Sequence, residues 1–423
     1  MSDRLVNPSA PHAPSGQATA EPVPVNPATG RPAGRAEDTV LLLASCMPVL
    51  GAVLIAPILP KIQDAFASTA GVEALTPIVL TVPALIIGLS GGLAGRYVDR
   101  VGRKGLLVGA LILYAFLGTA PLWLRSLPLI LASRVLVGLT EAAIMTCCTT
   151  LIVDYFHGPQ RIKYLGLQTV YTTVAATLFF GIGGGLGNVG WRTPFWVYAV
   201  SLPLAAAVAR TIWQPATGTS GPRARLAPVA WRQLAVPIAA SVAGGAIFYV
   251  LVVELSFVLD GLGVKDSSTI GAISAAGSLA VALGAYLFPR LVSRGAAFTV
   301  PLALGITGLG LLVLGVAGSV PLVVVGALVT GFGNGLLLPA MLTWAVSGLA
   351  FEQRGRGTGA WTAAVFLGQF VCPLVVLALK AGLGGLGTAI IAVGAASLVL
   401  GAVLRALRIS SGATGAAPTP AQP

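Results

Sequence analysis

The chain has 423 residues, 56% of them hydrophobic and only 9% charged, with a formal net charge of +12. A soluble domain carries about 25% charged residues, so a water-covered exterior is excluded and lipid must cover most of the surface. The basic excess suits cytoplasmic loops facing anionic lipid headgroups, with no call for nucleic acid.

Residues 1–38, rich in Pro, Ala, Ser and Gly, predict a disordered cytoplasmic tail. The first apolar run starts near Thr39, too far from Met1 for a signal peptide. Runs able to cross a ~30 Å hydrocarbon core, roughly 20 residues each, then recur at 39–60, 74–95, 105–124, 128–153, 164–187 and 193–213. Six more follow at 234–259, 268–289, 297–318, 321–347, 358–379 and 384–405. Leu106–Leu122 and Val300–Val316 lack the period-two alternation of a β-barrel. Backbone groups in lipid must pair within their own segment, so the runs predict helices. The expected class is therefore an all-α membrane protein: twelve transmembrane helices in two pseudo-symmetric six-helix bundles, 39–213 and 234–409. A cytoplasmic linker at 214–233, with Pro215, Pro222, Arg223, Arg225, Pro228 and Arg232, separates the bundles, and 410–423 forms a second disordered tail.

With both termini inside, nineteen Lys and Arg fall in cytoplasmic segments and five outside, namely Lys61, Arg125, Arg192, Lys265 and Lys380. Arg134 alone lies within a span. That bias predicts a multi-pass protein of the cytoplasmic membrane with cytoplasmic termini. A shift of 193 residues places Gln160-Arg161-Ile162-Lys163-Tyr164-Leu165-Gly166 on Gln353-Arg354-Gly355-Arg356-Gly357-Thr358-Gly359, Gly138 on Gly331, and Gly91 on Gly284. One offset carrying all these matches points to duplication, which suits a pair of halves rocking about a central site.

Between spans two and three runs Gly95-Arg96-Tyr97-Val98-Asp99-Arg100-Val101-Gly102-Arg103-Lys104. Its glycines permit tight turns and close helix approach, and Asp99 is an acid among four basic residues. The pattern G-x-x-x-D-R-x-G-R-K resembles the signature cytoplasmic loop of the major facilitator superfamily, and the resemblance extends over all twelve spans. It implies a gating loop of Gly95, Asp99, Arg100, Gly102, Arg103 and Lys104, with Asp154 as a partner acid at the end of span four. The alternative is a basic loop that only sets topology.

In span four, Arg134-Val135-Leu136-Val137-Gly138 resembles the family's R-x-x-x-G pattern. Glu141 lies seven residues on, about 10 Å along the same helix face. Charges at that depth cost several kcal/mol and normally face a cavity or a partner. Glu141 is the first candidate for a proton-carrying or cation-recognising acid; Arg134 either binds substrate or ties helices together. The shift sets Ala327 and Asn334 opposite these two, so the second half lacks both charges. Glu254 in span seven is a second intramembrane acid, a cavity group or an outer gate. Gln168 and Tyr171 in span five, Asn334 in span ten and Gln369 in span eleven are softer candidates, lining the path or bridging helices. Trp344, Trp361 and Phe366 offer an aromatic wall or plain packing. Gly181–Gly187 follows no strand and reads as a packing face, not a nucleotide loop. Drug:proton antiporters of the family carry a glycine–proline signature at this end of span five; here the proline is absent, while Gly190-Trp191-Arg192 resembles the same antiporters.

Four cysteines, Cys46, Cys147, Cys148 and Cys372, fall inside apolar runs without metal-ligand spacing, and only two histidines occur. No metal, cofactor or enzyme chemistry is expected. The leading reading is a monomeric secondary active transporter that moves a small-molecule substrate by alternating access. Protons couple the cycle, a proton gradient supplies the energy, and the direction is efflux. An importer of a small organic anion, with Arg134 on the carboxylate, and a transporter-like receptor are the alternatives.

Overall fold

A computed structural model describes residues 25–27, 29–214 and 231–407, without the side chains of 91–101 and 351–352. The tail expected at 410–423 and most of the segments expected at 1–38 and 214–233 lie outside the described residues. Within the described ones, two boundaries move. The first helix begins at Arg35, inside the expected tail, and the second half begins at Trp231, inside the expected linker.

The first span is broken: α1 (Arg35–Ala44), α2 (Met47–Val53), a 3₁₀ turn (Ala56–Ile58) and α3 (Leu59–Ala65) follow one another. Pro48, Pro57 and Pro60 lack the N–H that would continue the ladder, which explains the breaks. Then come α4 (Val72–Val101), α5 (Arg103–Thr119), α6 (Leu127–Tyr155) and α7 (Gly158–Val189). The sixth expected span, 193–213, is not a continuous α-helix. It is a 3₁₀ helix, Thr193–Val200, leading into α8 (Ser201–Thr211). At ~2.0 Å per residue for the first part and ~1.5 Å for the second, the pair still covers about 32 Å, enough to cross a bilayer core.

The second half contains α9 (Trp231–Gly261), α10 (Ser267–Leu291), α11 (Ala296–Gly315), α12 (Val320–Ser347), α13 (Phe351–Leu383) and α14 (Leu386–Ala406). Among the described residues, eleven segments are long and apolar enough to cross a membrane. With the split segment the described residues make twelve passes, so their two ends emerge on one face, termed the terminal face. The opposite face is termed distal. Among the described residues there is no strand, only an isolated bridge between Val25 and Pro32.

Helices run further than hydropathy alone predicts. Gln160–Lys163 and Gln353–Gly357, expected in loops, are early turns of α7 and α13, and the segment from Gly95 to Val101 continues α4. Only the apolar stretch of each helix is visible to hydropathy, and the polar turns beyond it stay helical. The chain between α4 and α5 breaks at Gly102, whose φ of +86° an L side chain rarely adopts.

Glycines set the helix contacts. A side chain on Gly138 of α6 would strike Pro83 and Ile86 of α4; one on its repeat mate Gly331 in α12 would strike Gly277 and Ala280 of α10. The two positions thus make corresponding contacts, fourth helix on second, in each half. On α7, Gly183 lies against Leu54, and Gly184 and Gly187 lie against Ser267 at the start of α10. The glycine run is a packing surface that joins the halves at the distal face.

Candidate functional site

A cavity of about 400 Å³ lies between the halves, walled by α2, α4, α6 and α7 on one side and by α9, α10, α12 and α13 on the other. Most of the wall is apolar, with Leu80, Pro83, Phe248, Leu251 and Phe366 prominent. Glu141 is the only charged side chain among the lining residues; Asn334, Gln369, Thr172, Thr173 and Ser274 add uncharged polar groups.

Glu141 projects from α6 against the broken first span. Its carboxyl occupies the space a side chain at Gly51 would need, so a larger residue there would displace the carboxyl. The Tyr114 hydroxyl beside it donates to the Met47 carbonyl at 2.5 Å. Glu141 is 1% exposed and its Oε1 has no hydrogen-bond partner. Asn334, the repeat mate, takes the corresponding place in the second half, between α9 and α11. Its Nδ2 donates to the Phe248 carbonyl at 2.9 Å, and the Thr307 hydroxyl donates to its Oδ1 at 3.4 Å.

Arg134 shares α6 with Glu141 but is not among the residues on the cavity wall. It is 1% exposed and turned into the first half. Its Nη1 donates to the Tyr198 hydroxyl at 2.8 Å, and its Nη2 donates to the Gly118 carbonyl at 2.9 Å. The guanidinium also lies 5.3 Å from the Phe195 ring centre and 5.1 Å from that of Tyr198. Gly118 permits this arrangement, because the Tyr198 ring fills the place of its missing side chain. Of the two roles open to Arg134, the geometry is that of a helix tie.

The other candidates divide. Gln369 lines the cavity, and Phe366 supplies part of its aromatic wall. Gln168 instead donates to Ser45 at 2.9 Å and to Thr149 at 3.3 Å, bridging three helices of the first half. Tyr171 packs on the apolar core, and Trp344 is buried away from the cavity wall. Glu254 lines a separate, smaller distal pocket with Gln63, Glu73 and Lys380. Thr172, Thr173, Ser274 and Tyr249 are wall residues that sequence reasoning missed. Thr172 and Thr173 adjoin Tyr171 in α7, and no sequence signal distinguished which of the three faces inward.

At the terminal face Arg103 pairs with Asp154. Gln214 accepts from the Lys104 backbone N–H at 3.1 Å, capping α5 with a residue from the end of the first half. Its neighbour Trp213 stacks on Tyr155 at 4.5 Å and accepts through its carbonyl from the Tyr155 hydroxyl at 2.6 Å. Gly95, Asp99 and Arg100 sit in the part of α4 whose side chains lie outside the described residues.

The distal face ties the halves together. Lys380 of α13 meets Glu73 of α4 at 3.1 Å. Asn188 of α7 donates to Asp266 and, at 2.7 Å, to Ser268, and accepts from the Ser267 N–H at 2.8 Å. Asp266 also caps α10 by accepting from the Thr269 N–H and hydroxyl; these bonds, with the one from Asn188, hold its carboxyl below the usual carboxylate range. Nearer the cavity, the Tyr249 hydroxyl donates across the halves to the Ala52 carbonyl at 3.3 Å. Among the described residues no group of three or more His, Cys, Asp or Glu is placed to hold a metal.

Similarity to known proteins follows the same outline. The chain is 29% identical over 174 residues to Multidrug resistance protein 1 of Bacillus subtilis, covering 40% of this chain and 43% of that protein. It is 30% identical over 192 residues to the 4-hydroxybenzoate transporter PcaK of Pseudomonas putida, covering 40% and 41%. The chain thus spans about two fifths of the length of the curated relatives it matches. Its fold superposes on the solved structure of the POT family transporter PepTSo with a TM-score of 0.71 at 14% identity, over 89% of this chain and 98% of that one. The family profile described as Major Facilitator Superfamily matches residues 41–298, more than half of the sequence, and the chain belongs to that superfamily.

Proposed function

We propose that the chain is a secondary active transporter of the cytoplasmic membrane. It exports a lipophilic cationic organic solute by alternating access, with proton exchange at Glu141 as the coupling step. One observation carries this reading: among the described residues Glu141 is the only charged group on a cavity wall that is otherwise apolar or uncharged and polar. An anionic solute would meet a carboxylate there and no cation, since Arg134 is committed to Tyr198 and Gly118. A lipophilic cation would meet a counter-charge and an apolar wall. The likeness to a multidrug resistance protein supports export of drug-like solutes; the likeness to a 4-hydroxybenzoate transporter is the reason to test an anionic one.

The coupling follows from solvation. An unpaired carboxylate enclosed in a dry cavity costs several kcal/mol, whereas the neutral acid is tolerated. A bound cation or a proton can each lift that penalty, so the two compete for Glu141. Whichever is bound permits the cavity to close and reopen on the other side. Exchange of one for the other on opposite faces couples export to the proton gradient.

The test is reconstitution in liposomes with an imposed pH gradient and a panel spanning lipophilic cations, neutral aromatics and 4-hydroxybenzoate. Movement of lipophilic cations driven by the imposed proton gradient is expected, and Glu141→Gln should abolish its pH dependence. Gradient-driven movement of 4-hydroxybenzoate alone, or unchanged coupling in Glu141→Gln, would overturn the proposal.

A further inference from the structure

Outside the central cavity, the second half carries a groove of about 310 Å³ on the outer side of α11 and α14. Phe298, Leu302, Gly305 and Leu309 follow one stripe of α11 at three- and four-residue steps. Leu398, Gly401 and Arg405 follow the matching stripe of α14. The two helices are drawn together by glycines: Gly308 against the Gly394 carbonyl, and Gly315 against the Gly387 carbonyl. Beside that contact Gly305 leaves a hollow, because a side chain there would meet nothing within 4 Å.

Length and charge both identify an occupant. From Phe298 to Leu309 the groove runs eleven residues, about 16 Å, which is one leaflet of a ~30 Å hydrocarbon core. Its apolar body ends at the terminal face in a basic mouth. Arg405 lines the groove directly, and the Arg294 guanidinium lies 5.2 Å from the ring centre of Phe298. Both arginines are exposed. The chain beyond Asp266 contains a single acidic residue, Glu352, so the mouth carries almost no compensating charge of its own. An apolar slot one leaflet long, closed by two exposed arginines at the headgroup level, matches a lipid with an anionic head.

We propose that this groove is the seat of one anionic phospholipid, with an acyl chain along Gly305 and the phosphate between Arg405 and Arg294. The site does not depend on what the central cavity carries. Arginine suits the headgroup because its planar fork pairs with phosphate oxygens bidentately. The (CH₂)₃ stems of both residues extend the apolar wall to the membrane interface.

Native mass spectrometry of the full chain, titrated with phosphatidylglycerol or phosphatidylcholine, tests this. The wild type should retain phosphatidylglycerol in preference to phosphatidylcholine. Arg405→Gln should weaken phosphatidylglycerol retention about fivefold, the effect of one basic group at a membrane surface, and leave phosphatidylcholine unchanged. Gly305→Leu, which fills the hollow, should weaken both; Ala402→Leu, on the exposed rim, serves if that variant does not fold. Equal retention of the two lipids, or undiminished phosphatidylglycerol binding in all variants, would overturn the proposal. So would displacement of the lipid by millimolar glycerol phosphate, which would mark a free-phosphate site. A dimer that Gly305→Leu dissolves would also overturn it, since a second copy would then be the occupant.

Discussion

Gly271→Ala is the perturbation that most directly probes rocking of the halves. A side-chain carbon at Gly271 would lie 2.6 Å from the Phe180 carbonyl oxygen and 2.9 Å from the α-carbon of Gly184, both on α7 in the other half. These are backbone atoms, so no rotamer change relieves the clash; α7 and α10 must separate. Overpacking of this kind costs about 1–3 kcal/mol. If alternating access includes a state in which the distal faces part, that state escapes the penalty. The balance then moves toward it by a factor of about 5–150. A population held 99:1 in favour of distal closure would become about 95:5 at the lower figure and about 40:60 at the upper one. Spin labels on Ala67→Cys and Ala381→Cys, exposed positions on the distal side of the two halves, would read this as a longer-distance component in pulsed electron resonance. A folded Gly271→Ala protein with a single, unshifted distance would show that the backbone absorbs the clash locally, and the distal glycine contact would lose its role as a closure.

Three other outcomes are expected. Arg134→Met keeps volume but removes the donors to Tyr198 and Gly118; against charge-assisted bonds of about 1.5–3 kcal/mol each stands the relief of a buried charge. A net loss of about 2 kcal/mol should appear as a lower melting temperature, with solute affinity changed less than threefold, and Arg134→Ala should melt lower still. A double-mutant cycle on Arg103→Ala and Asp154→Ala should return a coupling of about 1 kcal/mol in thermal unfolding, as for a pair about one-fifth exposed; zero coupling would remove this pair from the terminal-face network. Asp266 has a folded value below its unfolded one, so its contribution is complete above the ordinary carboxylate range and is lost only as pH falls through the depressed value. The spin-label distance across the distal face should therefore be constant from pH 5 to 8; a change in that window traced to Asp266→Asn would contradict the hydrogen bonds assigned to it.

How much was legible in the sequence depended on the range of the physics involved. Span positions follow from contiguous apolar length, and the duplicated glycines carried the correspondence between halves, since Gly138 and Gly331 are needed wherever α6 and α12 approach their partners. Glu141 was conspicuous because an acid in a long apolar helix is expensive. Rotation about each helix axis was not legible. Arg134 and Glu141 share a stripe, yet a long arginine can turn toward Tyr198 while the acid faces the cavity. In α7, Thr172 and Thr173 reach the cavity wall where Tyr171 packs on the core. The 3₁₀ geometry of Thr193–Val200 leaves no trace in hydropathy, and the capping of α5 by Gln214 depends on the fold bringing together residues over a hundred positions apart.

The two halves place a polar side chain at the same repeat position but treat it differently. Asn334 satisfies its amide inside its own half, donating to Phe248 and accepting from Thr307. Glu141, beside the irregular first span, keeps one carboxyl oxygen without a partner. A buried unsatisfied polar atom costs about 1–3 kcal/mol, and such atoms are scarce enough in folded proteins that each needs a reason. In the second half the corresponding position holds an amide bonded through both its nitrogen and its oxygen. Under the proposed coupling, the unpartnered Glu141 oxygen is where a proton or a solute cation would bind. If Glu141 is the coupling group as proposed, an acid at one of the two corresponding positions and an amide at the other would confine the coupling chemistry to the first half.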